Sequence, residues 1–340
     1  VTARALRARD ALTAAAVVLS GVAVLLAGAW PGAPAPSAPA ETAPPQPTRA
    51  LPGGYPSGDG AEPARTAPAA SAAVPPPRGS TAALAEDGCA IAEPGSSPWG
   101  PWAALSLPHA RVALPLEPPT DAFDLVVHFH GGEAVRRLLA PVATDRTVIA
   151  AIDAGPGSRR YEETFAGAPL ELLATEVAAR LSPARRRRLV VTAWSAGYAA
   201  VRELLRQGAP GVDVFVLLDA VHASYGPDGA TPLASELAPF LDLAARAAAG
   251  EAVMVLTHSE IRPPGYAATS EVADAIVAHL GGRRRYAGLV PAAGVESKTR
   301  FEHGALRVLG FTGTGPEAHC AHLRMLPVLL REALAALPPR

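Results

Sequence analysis

From Trp99 onward the apolar positions of the chain switch repeatedly between two periods. Short unbroken apolar runs rich in β-branched residues, at 123–130, 147–153, 189–194, 212–219 and 252–258, read as strands buried on both faces. Residues 103–116 read as one or two earlier strands, and 295–302 and 305–311 as two that pair across His303-Gly304. Between them lie stretches of helical spacing. Residues 170–181 bring Leu170, Leu173, Val177 and Leu181 to one side, and 198–207 run to a stop at Gly208. A cap followed by proline at Thr231-Pro232 predicts a helix to about 249, and 271–280 and 322–337 predict two more. Strand and helix in alternation imply an α/β three-layer sandwich, with a mostly parallel central sheet covered on both faces. Ligands of such sheets bind at the carboxyl ends of the strands.

The first quarter of the chain has a different pattern. Arg4, Arg7 and Arg9 precede the uncharged run 11–29, a basic segment and a hydrophobic one that together resemble an export signal. Small residues at Ala27-Gly28-Ala29 suit signal peptidase, while the length of the run also suits an uncleaved membrane anchor. Residues 31–80 hold 14 of the chain's 36 prolines and almost no large apolar side chains, a composition that cannot bury enough surface to offset its ordering entropy. The expected organisation is therefore a signal peptide or anchor at 1–30, a disordered Pro/Ala-rich linker at 31–85 and a folded domain at 86–340. The expected location is extracytoplasmic, either free or held to a membrane through the amino-terminal segment alone. In that setting Cys89 and Cys320, the only cysteines, can form a disulfide.

Charge and composition narrow the chemistry. A net charge of −1 gives no electrostatic reason to expect a nucleic-acid partner. The dense basic run Arg185-Arg186-Arg187-Arg188 reads as a solvated helix end before a strand. The chain has no asparagine, which excludes a Cys-His-Asn triad, and Lys298 is its one lysine, which leaves little room for Schiff-base chemistry. No cofactor is implied.

The most informative segment is Ala193-Trp194-Ser195-Ala196-Gly197, where an apolar strand breaks and a helix follows. Small residues around a serine at such a turn let the chain reverse sharply and present the hydroxyl above the sheet. The segment resembles the Gly-x-Ser-x-Gly nucleophile elbow of the α/β-hydrolase superfamily, with Ala193 in the first glycine's place. His130-Gly131-Gly132, directly after an earlier strand, is similar to that superfamily's oxyanion loop and stands in the same chain order. The resemblance implies an α/β-hydrolase fold and a serine hydrolase that cleaves an ester, or an amide, through an acyl-enzyme intermediate. Ser195 would be the nucleophile, and backbone amides near Gly131, Gly132 and Glu133, with that of Ala196, would form the oxyanion hole. The base would be His319 or His322, which share a helix face at i, i+3. His319 is preferred as the loop residue nearer the strand end. The acid would be Asp219, with Glu260 one strand later as the alternative.

Two other readings use the same residues. His128 and His130 share a strand face and, with the carboxy-terminal histidines, could bind zinc in a metal-dependent hydrolase. The scaffold could also serve as a tethered, non-catalytic binding module. Substrate identity and oligomeric state are not encoded in these residues.

Overall fold

Among the described residues ten strands hydrogen-bond into one sheet, and the middle six run parallel. The computed structural model describes residues 88–167 and 169–338. The predicted amino-terminal segment and linker lie outside the described residues. In chain order the elements are β1 (Ala103–Ala104), β2 (Ala110–Ala113), β3 (Ala122–Phe129), α1 (Gly132–Leu139), β4 (Thr147–Ile152), α2 (Ser158–Thr164) and α3 (Pro169–Arg180). They continue with β5 (Arg185–Trp194), α4 (Tyr198–Arg206), β6 (Val214–Leu218), β7 (Ala223–Ser224), α5 (Ala234–Ala248), β8 (Val253–His258), β9 (Tyr266–Ala267) and α6 (Thr269–His279). The last are β10 (Arg285–Ala292), β11 (Val295–His303), β12 (Leu306–Phe311), α7 (Pro316–Arg324) and α8 (Leu326–Ala335).

The sheet order is β1-β2-β4-β3-β5-β6-β8-β12-β11-β10, with antiparallel pairs confined to its two sides, and β7 and β9 form a separate small pair. Side chains alternate between two cores. Phe123, Leu125, Val127 and Phe129 of β3 and Leu189, Val191 and Ala193 of β5 join α3, α4, α5 and α6 on one face. Val126, Val190, Val216 and Val255 join α1, α7 and α8 on the other. This period of two on strands buried from both sides explains why the sequence shows unbroken apolar runs. The predicted helix-face residues Leu170, Leu173, Val177 and Leu181 all lie in the first core.

The structure departs from the sequence reading at four places. Arg185 to Arg188 belong to β5, not to a helix end. Arg187 pairs with the Asp124 carboxylate on β3, and the Arg188 guanidinium donates to the Pro338 carbonyl, so charge is accommodated where the strand leaves the apolar layer. Thr231 and Pro232 form a turn, with Gly226 N donating to Thr231 O at 2.7 Å, and the helix starts three residues later at Ala234. The carboxy-terminal helix starts at Pro316 and is split at Met325, since Pro327 cannot donate into a continuous ladder. His319 is thereby helical rather than a loop residue. Finally, α1, α2, β7, β9 and β10 were not foreseen.

A disulfide joins Cys89 to Cys320, with Cα atoms 5.5 Å apart. It ties the start of the described chain to α7. Among the described residues no helix is long and apolar enough to cross a membrane.

Candidate active site

Because β3, β4, β5, β6, β8 and β12 run the same way, the residues that follow them gather at one edge of the sheet. Ser195 follows β5 directly, in a single 3₁₀ turn, Ser195–Gly197, that passes into α4. Its φ is +50°, a left-handed conformation that costs a non-glycine residue about 1–3 kcal/mol and persists only where its surroundings enforce it. Gly197 is part of the enforcement. A Cβ there would overlap the Phe129 carbonyl oxygen and lie 2.7 Å from Phe129 Cβ, so the turn sits directly on the end of β3.

Asp219 follows β6, again at positive φ (44°), and is 2 % exposed. Its Oδ1 accepts from Ser259 N at 2.9 Å and from Thr269 Oγ1 at 2.6 Å, and its Oδ2 lies 2.7 Å from His319 Nδ1. Burial alone would raise the pKa of this carboxyl. The His319 hydrogen bond, the neighbouring imidazoles and the Thr269 hydroxyl outweigh it and hold the group ionised, below the usual carboxylate range. A carboxylate only accepts, so Nδ1 of His319 carries a proton, and in the neutral form of the ring the lone pair is on Nε2. Trp194 fixes the same imidazole from the side. Its ring stacks on His319 at 4.6 Å between centroids, and its Nε1 donates to the His319 carbonyl at 3.1 Å. His130 stacks on Trp194 in turn at 5.2 Å, and its Nδ1 is 2.9 Å from the Tyr161 hydroxyl.

The remaining candidates fall elsewhere. His322 is fully buried, with Nδ1 2.7 Å from Thr257 Oγ1 and its ring edge-on to Phe311. Burial pushes it down to about 4, so it is a neutral packing group rather than an accessible base. Glu260 is paired with Lys298 and accepts from Gly313 N at 3.1 Å, and the carboxylate bonded to His319 is that of Asp219 instead. The oxyanion loop also differs from expectation. His130 and Gly131, both at positive φ, turn the chain from β3 into α1, but the amides of Gly131 and Gly132 donate to Asp153 Oδ1 at 2.8 and 3.0 Å. Asp153 directly follows β4, and its Oδ2 is held by Arg111 at 2.9 Å. A carboxylate is a stronger acceptor than a carbonyl oxygen, and these two donors are engaged by it. The Glu133 amide, in the first turn of α1, lacks an intrahelical acceptor by helix geometry. The Glu133 side chain is taken up by Trp102, Arg136 and Arg137. The sequence reading places the loop 153–161 at the same sheet edge, as pocket lining or a surface connection, but assigns neither Asp153 nor Trp194 the part it takes here. An aspartate ending an apolar strand beside a glycine pair was the available signal for the first, and the residue preceding the serine for the second.

The donor set for a metal does not assemble. His128 Nε2 donates to the His130 carbonyl at 2.6 Å and its Nδ1 is 2.7 Å from Thr192 Oγ1, so both ring nitrogens are used. Among the described residues no three His, Cys, Asp or Glu side chains are grouped to hold an ion.

Strand order, the serine turn after β5 and the imidazole after β12 define a fold of the α/β-hydrolase type. No family model matches the chain, and no curated protein matches it. Among solved structures it is similar to a thermostable esterase at 10% identity, covering 70% of this chain and 62% of that one, with a TM-score of 0.44. It is similar to TT1662 from Thermus thermophilus at 17% identity, covering 69% and 98%, TM-score 0.42. A third is carboxylesterase CesB from Bacillus subtilis, at 11% identity, covering 71% and 92%, TM-score 0.39.

Proposed function

We propose that the chain is a serine hydrolase that cleaves an ester, or an amide, by an acyl-enzyme route. The observation that carries this reading is the 2.7 Å contact between His319 Nδ1 and the buried, ionised Asp219, at the sheet edge where Ser195 stands on a strained turn. Nε2 of His319 takes the proton as Ser195 Oγ attacks the substrate carbonyl, and Asp219 steadies the imidazolium that forms. The amides of Ala196 and Glu133 would hold the oxyanion, the Gly131 and Gly132 amides being bound to Asp153. Collapse expels the alcohol, protonated from Nε2, and water then releases the acid by the same steps in reverse. The disulfide supports an extracytoplasmic location, where such bonds persist.

The test is a fluorophosphonate probe together with a panel of acyl esters of graded length. Wild-type protein is expected to label at Ser195 and to hydrolyse part of the panel. Ser195→Ala should lower turnover by about 10⁴-fold or more with unchanged circular dichroism. A folded wild-type protein that neither labels nor turns over any ester would favour a binding module instead, and hydrolysis retained in the variant would remove Ser195 from the chemistry.

A further inference from the structure

A cleft of about 420 Å³ opens beside Ser195, and its walls say what it can hold. The β4–α2 loop contributes Gly157, the start of α2 contributes Ser158, α4 contributes Tyr198, and the segments around the β7–β9 pair contribute His222 and Tyr266. Among the described residues no carboxylate, amine or guanidinium lines it. Its rings are set edge to face, Tyr198 and His222 with centroids 5.6 Å apart at 68° and His222 and Tyr266 5.1 Å apart at 85°, so the wall is aromatic.

His222 has a fixed hydrogen-bonding polarity. Its Nδ1 is 3.3 Å from the Ala267 carbonyl oxygen, which can only accept, so Nδ1 carries the proton. Burial lowers its pKa, and the ring is neutral near pH 7. Nε2 therefore presents a lone pair, and it has no hydrogen-bond donor among the described residues. An unfilled acceptor at a wall of an uncharged, ring-lined cleft selects a guest with a donor to give. Seating a carboxylate or ammonium group there would cost its hydration, while the nearest charges behind the wall, Glu236 bonded to Ser224 and Arg202 over the Tyr198 ring, are already paired with each other.

We propose that this cleft, resting on the role given to Ser195 above, receives an uncharged ring of the substrate that bears a hydroxyl, and that Nε2 of His222 accepts the hydrogen bond from it. The substrate class is then hydroxylated ring esters, with the ring on either the acyl or the alcohol side.

The experiment compares kcat/KM for methyl benzoate, its 3- and 4-hydroxy forms and its 4-carboxy form, and for the matching set of ring-substituted phenyl acetates. One hydroxylated member is expected to exceed its parent by about 3–10-fold, the worth of one hydrogen bond, and the carboxylated member to fall below it. In His222→Phe the ratio of hydroxylated to parent ester should fall to about one, whereas His222→Gln, which can still accept, should keep it. A ratio of one in wild-type protein, or a ratio unchanged in His222→Phe of normal melting temperature, overturns the proposal. Binding of methyl 4-hydroxybenzoate and methyl 3-hydroxybenzoate to Ser195→Ala, read by ligand-detected NMR, separates the two levels. Binding that His222→Phe abolishes, in a protein that hydrolyses nothing, upholds the cleft and discards the hydrolase. Absence of binding of either ester discards the cleft even in an active enzyme.

Discussion

Trp194 is the residue on which the proposed chemistry leans without taking part in it. It precedes the serine, is 2 % exposed, and touches both the ring and the backbone carbonyl of His319. Trp194→Phe keeps a flat surface against the imidazole and loses only the Nε1 donor. Trp194→Ala loses both and opens a cavity costing about 3–5 kcal/mol. The expected kinetics are a few-fold lower kcat for Phe and about 10²-fold lower for Ala, with KM near wild type, because a misplaced base slows the reacting step rather than binding. Steady-state rates measured where circular dichroism shows both variants folded will decide. Equal losses in the two variants would assign the effect to the indole N–H alone. At this scale the sequence was only half legible. Spacing put His319 and His322 on one helix face, but the depth of that helix against the sheet, which spacing does not encode, sealed His322 under Phe311 and left His319 at the edge.

The strand-to-helix turn after β5 is the element that the chain specifies most tightly. Its small residues are steric requirements: Ala193 is fully buried between β3 and β6, and Gly197 rests on the Phe129 carbonyl. Gly197→Ala is expected to destabilise the domain by about 1–3 kcal/mol or more and to abolish ester cleavage, since the overlap is with backbone that cannot rotate away. Urea unfolding beside an activity assay measures both effects, and a midpoint equal to wild type would mean that β3 yields easily. The parallel strands were readable because burial on two faces leaves a continuous apolar run. β10 was not, since most of it is exposed and the one strand it pairs with is its hairpin partner β11. The arginines of β5 were misread because a charged strand end looks like a helix end until Asp124 is known to lie opposite. The Asp153 clamp on the oxyanion loop also joins residues far apart in sequence, so no local period announces it.

Across the whole molecule, buried histidines tie stability to acidity. His128, His130, His258 and His322 are each pushed down to about 4, in every case chiefly by burial, and for His258 also by the Arg284 guanidinium. An unfolded chain protonates these rings near pH 6.5, so between about 6.5 and 4 it binds protons that the folded protein refuses. Their contribution is fully present above about pH 6.5 and is lost as the pH falls toward 4. The urea midpoint should therefore drop by a clear margin from pH 7.5 to pH 5, and equal midpoints would mean that these rings are hydrated in solution. The bond between Cys89 and Cys320 acts at the same scale. It closes a span of 231 residues, worth about 5 kcal/mol on a chain-entropy estimate, and its second sulfur belongs to the residue next to His319. Reduction would remove one of the holds on the helix that carries His319, beside its core packing and the Trp194 and Asp219 contacts, so a reductant is expected to lower the melting temperature and the proposed activity together.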